Sequence, residues 1–324
     1  MRGRREDREL KRAMTILLVG IWATSADATE IFEKVGTVGV QFLKIGVGAR
    51  AAAMGEAFTP VADDATTLYW NPAGIARIEG NQVTMNHASW PGDIGHEFVG
   101  SVFRYGSIPG AFGVSFNVLQ MKPMEVTTPF KPNGTGDTFD AGDLAINFTY
   151  ARMLTNKFSF GGTFRWVHSG IEEEFAEGVM VDFGTLYDTG FRGITIGMTM
   201  ANFGPNMKFI EQDFPVPTIF KLGIAMPTFE TENHRLFSAV EFNHPRDTAE
   251  RANMGMEYVF LGLPPNFEFA LRGGYMLNRD EESLTGGFGV KFPTSRAATA
   301  GVDYAFVDLG RLGESHLISL LLNF

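Results

Sequence analysis

The stretch Asp143–Tyr150, DLAINFTY, alternates large apolar residues with small or polar ones. Side chains of a β-strand point in turn to its two faces, so one face of this segment is wholly apolar: Leu144, Ile146, Phe148 and Tyr150. The same period recurs in 158–166, 179–187, 220–226, 254–260 and 267–275. The pattern predicts a series of antiparallel strands, each with one apolar face.

Alternation alone fits both a soluble sandwich and a membrane barrel, so the composition of the two faces has to separate them. The polar face is rich in Gly and Ala, as expected for the concave inside of a barrel, and the chain has 38 Gly. The apolar face carries aromatic residues near the strand ends, where barrels have their interfacial girdles: Tyr105, Tyr150, Trp166, Tyr187, Tyr258 and Tyr275. Both features favour a barrel in the outer membrane.

The chain stops on one more alternating segment, 316–324, whose last residue is Phe324. Ile318, Leu320 and Leu322 share its face. A terminal aromatic strand of this kind resembles the signal that the outer-membrane barrel-assembly machinery recognises. We therefore expect Phe324 to be an assembly signal, with that machinery and outer-membrane lipid as partners.

The number of segments is even, as a single-chain bacterial barrel requires. The predicted fold class is all-β, a transmembrane antiparallel β-barrel of about 14 strands over residues 81–324. Short connections such as 106–110 and 154–157 alternate with others that include the long 122–138 and 204–217, which are expected outside the cell. The strands are expected near 81–90, 96–105, 111–121, 139–153, 158–168, 176–187, 194–203, 218–227, 236–244, 252–260, 267–276, 283–292, 298–306 and 315–324.

Residues 1–28 predict a cleaved signal peptide. Basic residues between Arg2 and Arg12 precede an apolar stretch at 14–23 and the A-x-A site Ala26-Asp27-Ala28. The apolar stretch falls short of the roughly 20 residues that a spanning helix needs. We expect export and a final location in the outer membrane.

Residues 36–80 interrupt the alternation, within the segment 29–80 that precedes the barrel. Ala-rich pieces at 49–53 and 62–65 have helical propensity, and Asn71-Pro72 predicts an N-cap with Pro at the first position of a short turn. The segment is too small to form its own core. We therefore expect an N-terminal hatch of short helices inside the lumen of the barrel.

The string 48–76, GARAAAMGEAFTPVADDATTLYWNPAGIA, closely resembles the N-terminal signature of the PorV/PorQ family, which is related to the FadL-type long-chain fatty-acid transporters. The resemblance implies a fourteen-stranded outer-membrane barrel whose N-terminal segment plugs the lumen. The matching hatch motif is expected to fix the fold and docking of the hatch or its gating: Gly48, Arg50, Met54, Gly55, Asp63, Asp64, Asn71, Pro72, Ala73 and Gly74.

Charged residues on the polar faces of the strands are mixed in sign. A charge-selective pore would show rings of one sign, so we expect salt bridges that brace the wall and the hatch, with a solvated lumen face as the alternative. These lumen charges are Asp143, Arg165, Asp182, Lys221, Glu241, Glu257, Glu268, Arg272 and Asp303.

Other classes of function find little support. The net charge of −10 argues against nucleic acid as a partner, and the lack of cysteine excludes disulfides and thiolate metal sites. Gly46-x-Gly48 matches the dinucleotide fingerprint only weakly, since no parallel βαβ unit follows. The six histidines show no Ser-His-Asp or metal-binding spacing. We expect no enzyme activity, no cofactor and no metal.

Two functions stay open. The resemblance to PorV implies a type IX secretion component, with secretion-system proteins and exported cargo as partners. Kinship with FadL implies a passive channel for hydrophobic small molecules, the hatch moving aside to admit them. The loop 122–138, with Met124 and Phe130, would offer either kind of partner an apolar external surface.

Overall fold

The computed structural model describes residues 37–106, 108–261, 267–279, 281, 283–295 and 297–324. The predicted signal peptide and the first part of the predicted hatch, 29–36, lie outside the described residues. Because alternating faces favour pairing in register, the alternating segments form long strands. The strands are β1 (Gln82–Trp90), β2 (Ile94–Phe103), β3 (Ala111–Met121), β4 (Met124–Glu125), β5 (Thr138–Phe139), β6 (Ala141–Met153), β7 (Phe158–Ile171), β8 (Glu174–Asp188), β9 (Thr195–Phe203), β10 (Met207–Phe209), β11 (Gln212–Phe214), β12 (Ile219–Glu230), β13 (His234–Pro245), β14 (Arg251–Phe260), β15 (Glu268–Leu277), β16 (Leu284–Pro293), β17 (Thr299–Asp308) and β18 (Glu314–Asn323).

The long strands close into one antiparallel barrel in the order β1-β18-β17-β16-β15-β14-β13-β12-β9-β8-β7-β6-β3-β2. β1 pairs with both β2 and β18, so the first and last strands close the barrel. The backbones of Asn81 and Phe324 add two hydrogen bonds of 2.8 and 3.0 Å at this seam. The fourteen-stranded barrel is confirmed. We call the end that holds Asn81 and Phe324 the closing end and the opposite end the loop end.

The wall buries its polar face and exposes its apolar one. On β6 the side chains of Phe148 and Tyr150 are 55% and 38% exposed, whereas Asn147 and Thr149 are buried. A soluble sandwich would show the reverse, because it buries large apolar side chains between its sheets. The exposed apolar band is therefore the surface that meets lipid.

The connections agree only in part with the expected asymmetry. Two long connections at the loop end fold into small hairpins, β4 with β5 and β10 with β11, which sequence reasoning treated as loops. Ladders of two or three residues are too short to show a period. Other connections at that end are short, such as 172–173 between β7 and β8.

Residues 37–80, which we call the hatch, contain helix α1 (Ala49–Ala53), helix α2 (Thr67–Trp70) and 3₁₀ turns at Gln41–Lys44 and Pro72–Arg77. Many of its buried apolar residues, such as Phe58 and Leu68, form a cluster with inward residues of the wall such as Phe98 and Ala225. The hatch therefore lies inside the barrel and uses the wall as its core. No helix among the described residues is long and apolar enough to cross a membrane.

Candidate functional site

The lumen is the candidate site, and inward glycines of the wall set its shape. In the described part of the barrel, an added methyl group at nine of them would come within 3 Å of a hatch atom. Only glycine lets the hatch approach the strands so closely. These glycines are Gly100, Gly113, Gly161, Gly184, Gly197, Gly223, Gly255, Gly274 and Gly287.

The tightest approach joins a hatch glycine to a wall glycine. A methyl group on Gly274 of β15 would lie 2.0 Å from the backbone nitrogen of Gly55. Gly55 has φ +61°, a left-handed conformation that favours glycine, and its N–H donates to Thr285 Oγ1 at 3.0 Å. Met54 precedes it, fully buried against Gly255 of β14. The strands β14 to β16 thus hold the end of α1 through the backbone.

Arg50, on α1, links the hatch to the wall through charge. Its guanidinium donates to both Glu257 oxygens at 2.8 and 2.9 Å, to Asp63 at 2.6 Å and to Asp64 at 2.9 Å. Arg272 of β15 donates to Glu257 at 2.7 Å and to Asp303 of β17 at 2.6 Å. Bidentate charge-assisted hydrogen bonds of this kind are directional as well as strong. The network fixes α1 against β14.

The neighbouring carboxylates keep Arg50 in its charged form. Burial disfavours the guanidinium, but Asp63, Glu257 and Asp64 together hold the pKa of Arg50 well above its ordinary value. Asp64 also accepts from the backbone and the hydroxyl of Thr66, which starts the turn into α2. Arg50 therefore stays positively charged at neutral pH.

The Asn71-Pro72-Ala73-Gly74 turn docks on the other side of the barrel. The Asn71 carboxamide accepts from Ala73 N at 3.1 Å and donates to the carbonyls of Thr59 at 3.0 Å and Thr185 at 3.1 Å. One side chain thus caps the 3₁₀ turn, bridges the hatch and reaches β8. Pro72 lies against Gly161 and Gly184.

At the remaining motif positions Gly48 and Gly74, glycine is required for two different structural reasons. Gly48 has φ +87° and contacts Thr66, so it opens α1 from a conformation that other residues avoid. A methyl group on Gly74 would lie 2.4 Å from Ala62 O, and Ala73 packs in a small cluster with Ala62 and Leu186 of the wall. These positions shape and dock the hatch.

The hatch is held at both ends of the barrel. At the closing end Arg104 donates to the carbonyls of Ala76 at 2.9 Å and Ile78 at 2.8 Å. At the loop end Lys44 donates to Asp247 at 2.8 Å, and Gly39 N donates to Pro215 O at 3.1 Å. Residues 38–45 and the β10–β11 hairpin share a buried apolar cluster there, which we call the cap.

The lumen charges all lie on inward faces, and the structure brings several of them together. Arg165 pairs with Asp182 at 2.7 Å, and Glu257, Arg272 and Asp303 form the network described above. Glu241 accepts from Thr59 N of the hatch at 2.8 Å. Lys221 stands 4.4 Å from the centre of the Trp70 ring. Asp143 and Glu268 lie near the starts of their strands, and Glu268 lies 3.7 Å from Lys291.

Cavities remain on both sides of the hatch. One of about 170 Å³ is lined by charged residues of the Arg50 network and by Arg235 and Lys291. A smaller one, about 40 Å³, lies toward the loop end above Tyr69 and Trp70. Within the described ranges, no three His, Asp or Glu side chains are grouped so as to hold a metal ion.

Comparison with known proteins identifies the family. The family model described as type IX secretion system protein PorV matches residues 28–246 of the 324. The chain belongs to the PorV family. No curated protein sequence matches it. This PorV-family chain is therefore an outer-membrane barrel of a family named for secretion, and the resemblance seen at 48–76 is confirmed.

Solved structures show the same fold at low identity. The toluene transporter TbuX of Ralstonia pickettii superposes with a TM-score of 0.58 at 12% identity, over 86% of this chain and 97% of that one. A FadL homologue of Pseudomonas aeruginosa gives 0.57 at 11%, over 90% and 99%. The toluene transporter TodX of Pseudomonas putida gives 0.58 at 12%, over 91% and 98%. The PorV-family barrel thus has the fold of FadL-type proteins.

Sequence reasoning missed two of the wall partners of the hatch. Thr285 bonds to hatch backbone, and Arg104 anchors its end. Arg104 follows the last residue of a strand and shows no local signal. The inward glycines did have one, because Gly recurs on the polar face, but only the folded chain tells which glycine meets which hatch atom.

Proposed function

We propose that this PorV-family barrel acts in type IX secretion as a closed membrane platform that receives exported proteins together with other secretion-system proteins. The observation that supports this is the filled lumen. The hatch meets the wall at the nine glycines, and hydrogen bonds join the two over much of its length. Ala49 N donates to Ser319 at 2.7 Å, and the carbonyl of Ile78 accepts from Arg104. A barrel filled in this way is suited to docking rather than to passage of large solutes.

Exposed apolar side chains at the loop end support a docking role. Phe130, beside the β4–β5 ladder, is 97% exposed, and Ile210, in the β10–β11 hairpin, is 62% exposed. Apolar groups on projecting hairpins are typical of surfaces that contact partners. In the usual orientation of such barrels, the short turns of the closing end lie in the periplasm and the loop end faces outward.

A deletion in the host organism tests the proposal. Loss of the protein should leave exported proteins with sorting C-terminal domains in the periplasm, and the wild-type chain supplied from a plasmid should restore them to the surface. Fractionation with mass spectrometry measures both. Normal export in the deletion strain would refute the secretion role.

A second function, passage of hydrophobic small molecules, is favoured by one observation. An apolar groove of about 460 Å³ lies on the outer face of the wall, lined by Phe164, Val179, Val181, Phe203 and Pro205 among others. TodX and TbuX, which share the fold, are toluene transporters. Reduced uptake of an aromatic hydrocarbon by the deletion strain, with normal protein export, would favour this function over secretion.

A further inference from the structure

The wall has an interrupted ladder at β8. β7 pairs with β8 along its whole length, up to Ile171 opposite Glu174. β9 pairs with β8 only as far as Phe203 opposite Val181. Among the described residues, the part of β8 from Glu174 to Met180 is therefore paired with a strand on one side alone. We call this part the β8 edge.

Specific hydrogen bonds fix the end of β9. Asn202 adopts φ +58°, and the register shifts by one residue beside it. Asp182 accepts from Asn202 N at 2.7 Å, and Asp182 is itself held by Arg165. The Asn202 carbonyl accepts from Thr218 at 3.0 Å. These bonds fix the point at which the chain leaves the wall.

The two sides of the β8 edge differ. On the lumen side Met207 of β10 is buried directly against Gly178, so the interior is filled. On the lipid side lies the apolar groove, with Val179 and Phe203 in its lining. A strand edge offers N–H and C=O groups to another chain, and lipid cannot satisfy them. An extended polypeptide with an apolar face would both pair with the strand edge and fill the groove.

Charge at the loop end of the β8 edge indicates which charged residues the occupant would carry. The turn and first strand residues Glu172, Glu173 and Glu174 are all exposed, and Glu177 follows on the outer face. Lys or Arg at the matching end of an added strand would complement this group.

We infer that the β8 edge binds an extended segment of a secreted or secretion-system protein by strand addition, a segment with alternate apolar residues and Lys or Arg beside Glu172–Glu174. The nature of this partner rests on the secretion role proposed above. Added strands gain affinity from main-chain hydrogen bonds and specificity from alternate side chains.

Disulfide capture locates the binding site. The chain has no cysteine, so Phe175→Cys on the outer face of β8 supplies a single thiol, and His316→Cys on β18 is the matched control. The probe is a synthetic peptide of two lysines followed by four Val-Thr repeats, with a cysteine next to the lysines. It should form a disulfide with the first variant at least tenfold faster than with the second. Equal rates, or a disulfide-linked dimer of the F175C chain in place of peptide capture, would overturn the inference.

Backbone pairing is tested with two N-methylated forms of that peptide, methylated at odd or at even positions. A strand that adds to one edge uses only alternate N–H groups, so one form should bind as the parent does and the other at least tenfold more weakly. Equal binding of both forms would indicate simple partition into the groove and overturn strand addition.

The charge requirement is tested by the double variant E173K/E174K, with E230K/E232K at the closing end as a control of equal charge change. The first should weaken peptide binding at least tenfold and the second should leave it unchanged; equal effects would contradict the assignment. Peptide capture in a protein whose deletion leaves export normal would refute the secretion role alone. Failed capture in a protein that export requires would refute only the strand-addition site.

Discussion

At the scale of single residues, a few side chains join parts of the chain that are far apart in sequence. Arg50 and Glu257 are 207 positions apart and make a bidentate contact. Removing one partner of such a pair leaves a charge with fewer hydrogen bonds in a partly buried site. The remaining acceptors of Arg50 belong to the hatch itself, so its ionic link to the wall is the contact with Glu257.

Arg50→Ala should therefore loosen the hatch without opening the barrel. A cysteine at Ala65, which is fully buried in the hatch, reports hatch opening by its rate of maleimide labelling. Loss of hydrogen bonds to charged groups, roughly 1.5–3 kcal/mol, should raise that rate about 10- to 100-fold. Arg192→Ala, in an exposed turn, is the control. Equal labelling of both variants would show that the ion pair does not hold the hatch.

A neighbouring pair of glycines gives a second test. A methyl group on Gly274 meets the hatch backbone at 2.0 Å, whereas one on Gly273 meets nothing within 4 Å. Gly274→Ala should weaken hatch docking by roughly 1–3 kcal/mol, the usual effect of overpacking, and Gly273→Ala should change it little. The same labelling assay measures both. A larger effect at Gly273 would place the hatch elsewhere.

At the scale of elements, Asp247 helps to hold the cap. It lies in the connection between β13 and β14 and accepts hydrogen bonds from Gln41 and Lys44. Burial raises the pKa of Asp247, but hydrogen bonds from Lys44 and Gln41 more than offset this, so that pKa lies below its ordinary value. A depressed carboxyl pKa stabilises the folded state above the unfolded value of about 3.9, and the contribution is lost as the pH falls through the folded pKa.

The cap should accordingly hold at neutral pH and loosen only in acid, below about pH 4. Hydrogen exchange of a peptide that covers 41–46, followed by mass spectrometry, measures this. Asp247→Asn should show faster exchange already at pH 7, and the difference from the wild type should shrink in acid. A wild-type cap that loosens between pH 5 and 8 would contradict the assignment to Asp247.

At the scale of the whole molecule, adjacent residues of β18 face opposite environments. Leu320 is 45% exposed toward lipid, whereas Leu321 lines the charged cavity. Arginine on the lipid face costs up to roughly 2–4 kcal/mol, depending on depth. Leu320→Arg should therefore lower the amount of heat-modifiable, assembled barrel, and Leu321→Arg should not. Equal losses would mean that the outer face is not in the membrane.

The barrel was predictable from the sequence because a period of two, repeated in segment after segment, fixes both strand and face. DLAINFTY shows this, since each of its large apolar residues lies on the outer face. The early end of β9 was not predictable, because it depends on Asp182 and Arg165 of other strands binding Asn202. Nor was the link from Arg50 to Glu257, since no local pattern pairs residues so far apart.

The hatch segment was recognisable as an interruption of the alternation, and Asn71-Pro72 indicated the turn that Asn71 caps. Its fit against the wall was beyond sequence reasoning, because backbone contact at glycine involves no side chain that could be matched. The small hairpins in the two long connections were missed for a related reason. Their ladders, Met124–Glu125 with Thr138–Phe139 and Met207–Phe209 with Gln212–Phe214, are shorter than one full alternation.

Single-channel conductance in planar bilayers tests most directly the central claim that the hatch fills the lumen. The wild-type barrel should insert without steady conductance steps. A barrel that lacks residues 37–78, and that still inserts and migrates as a heat-modifiable protein, should show steady steps of uniform size. The same conductance from both proteins would contradict the claim, because it would mean that residues 37–78 do not block the path through the fourteen strands.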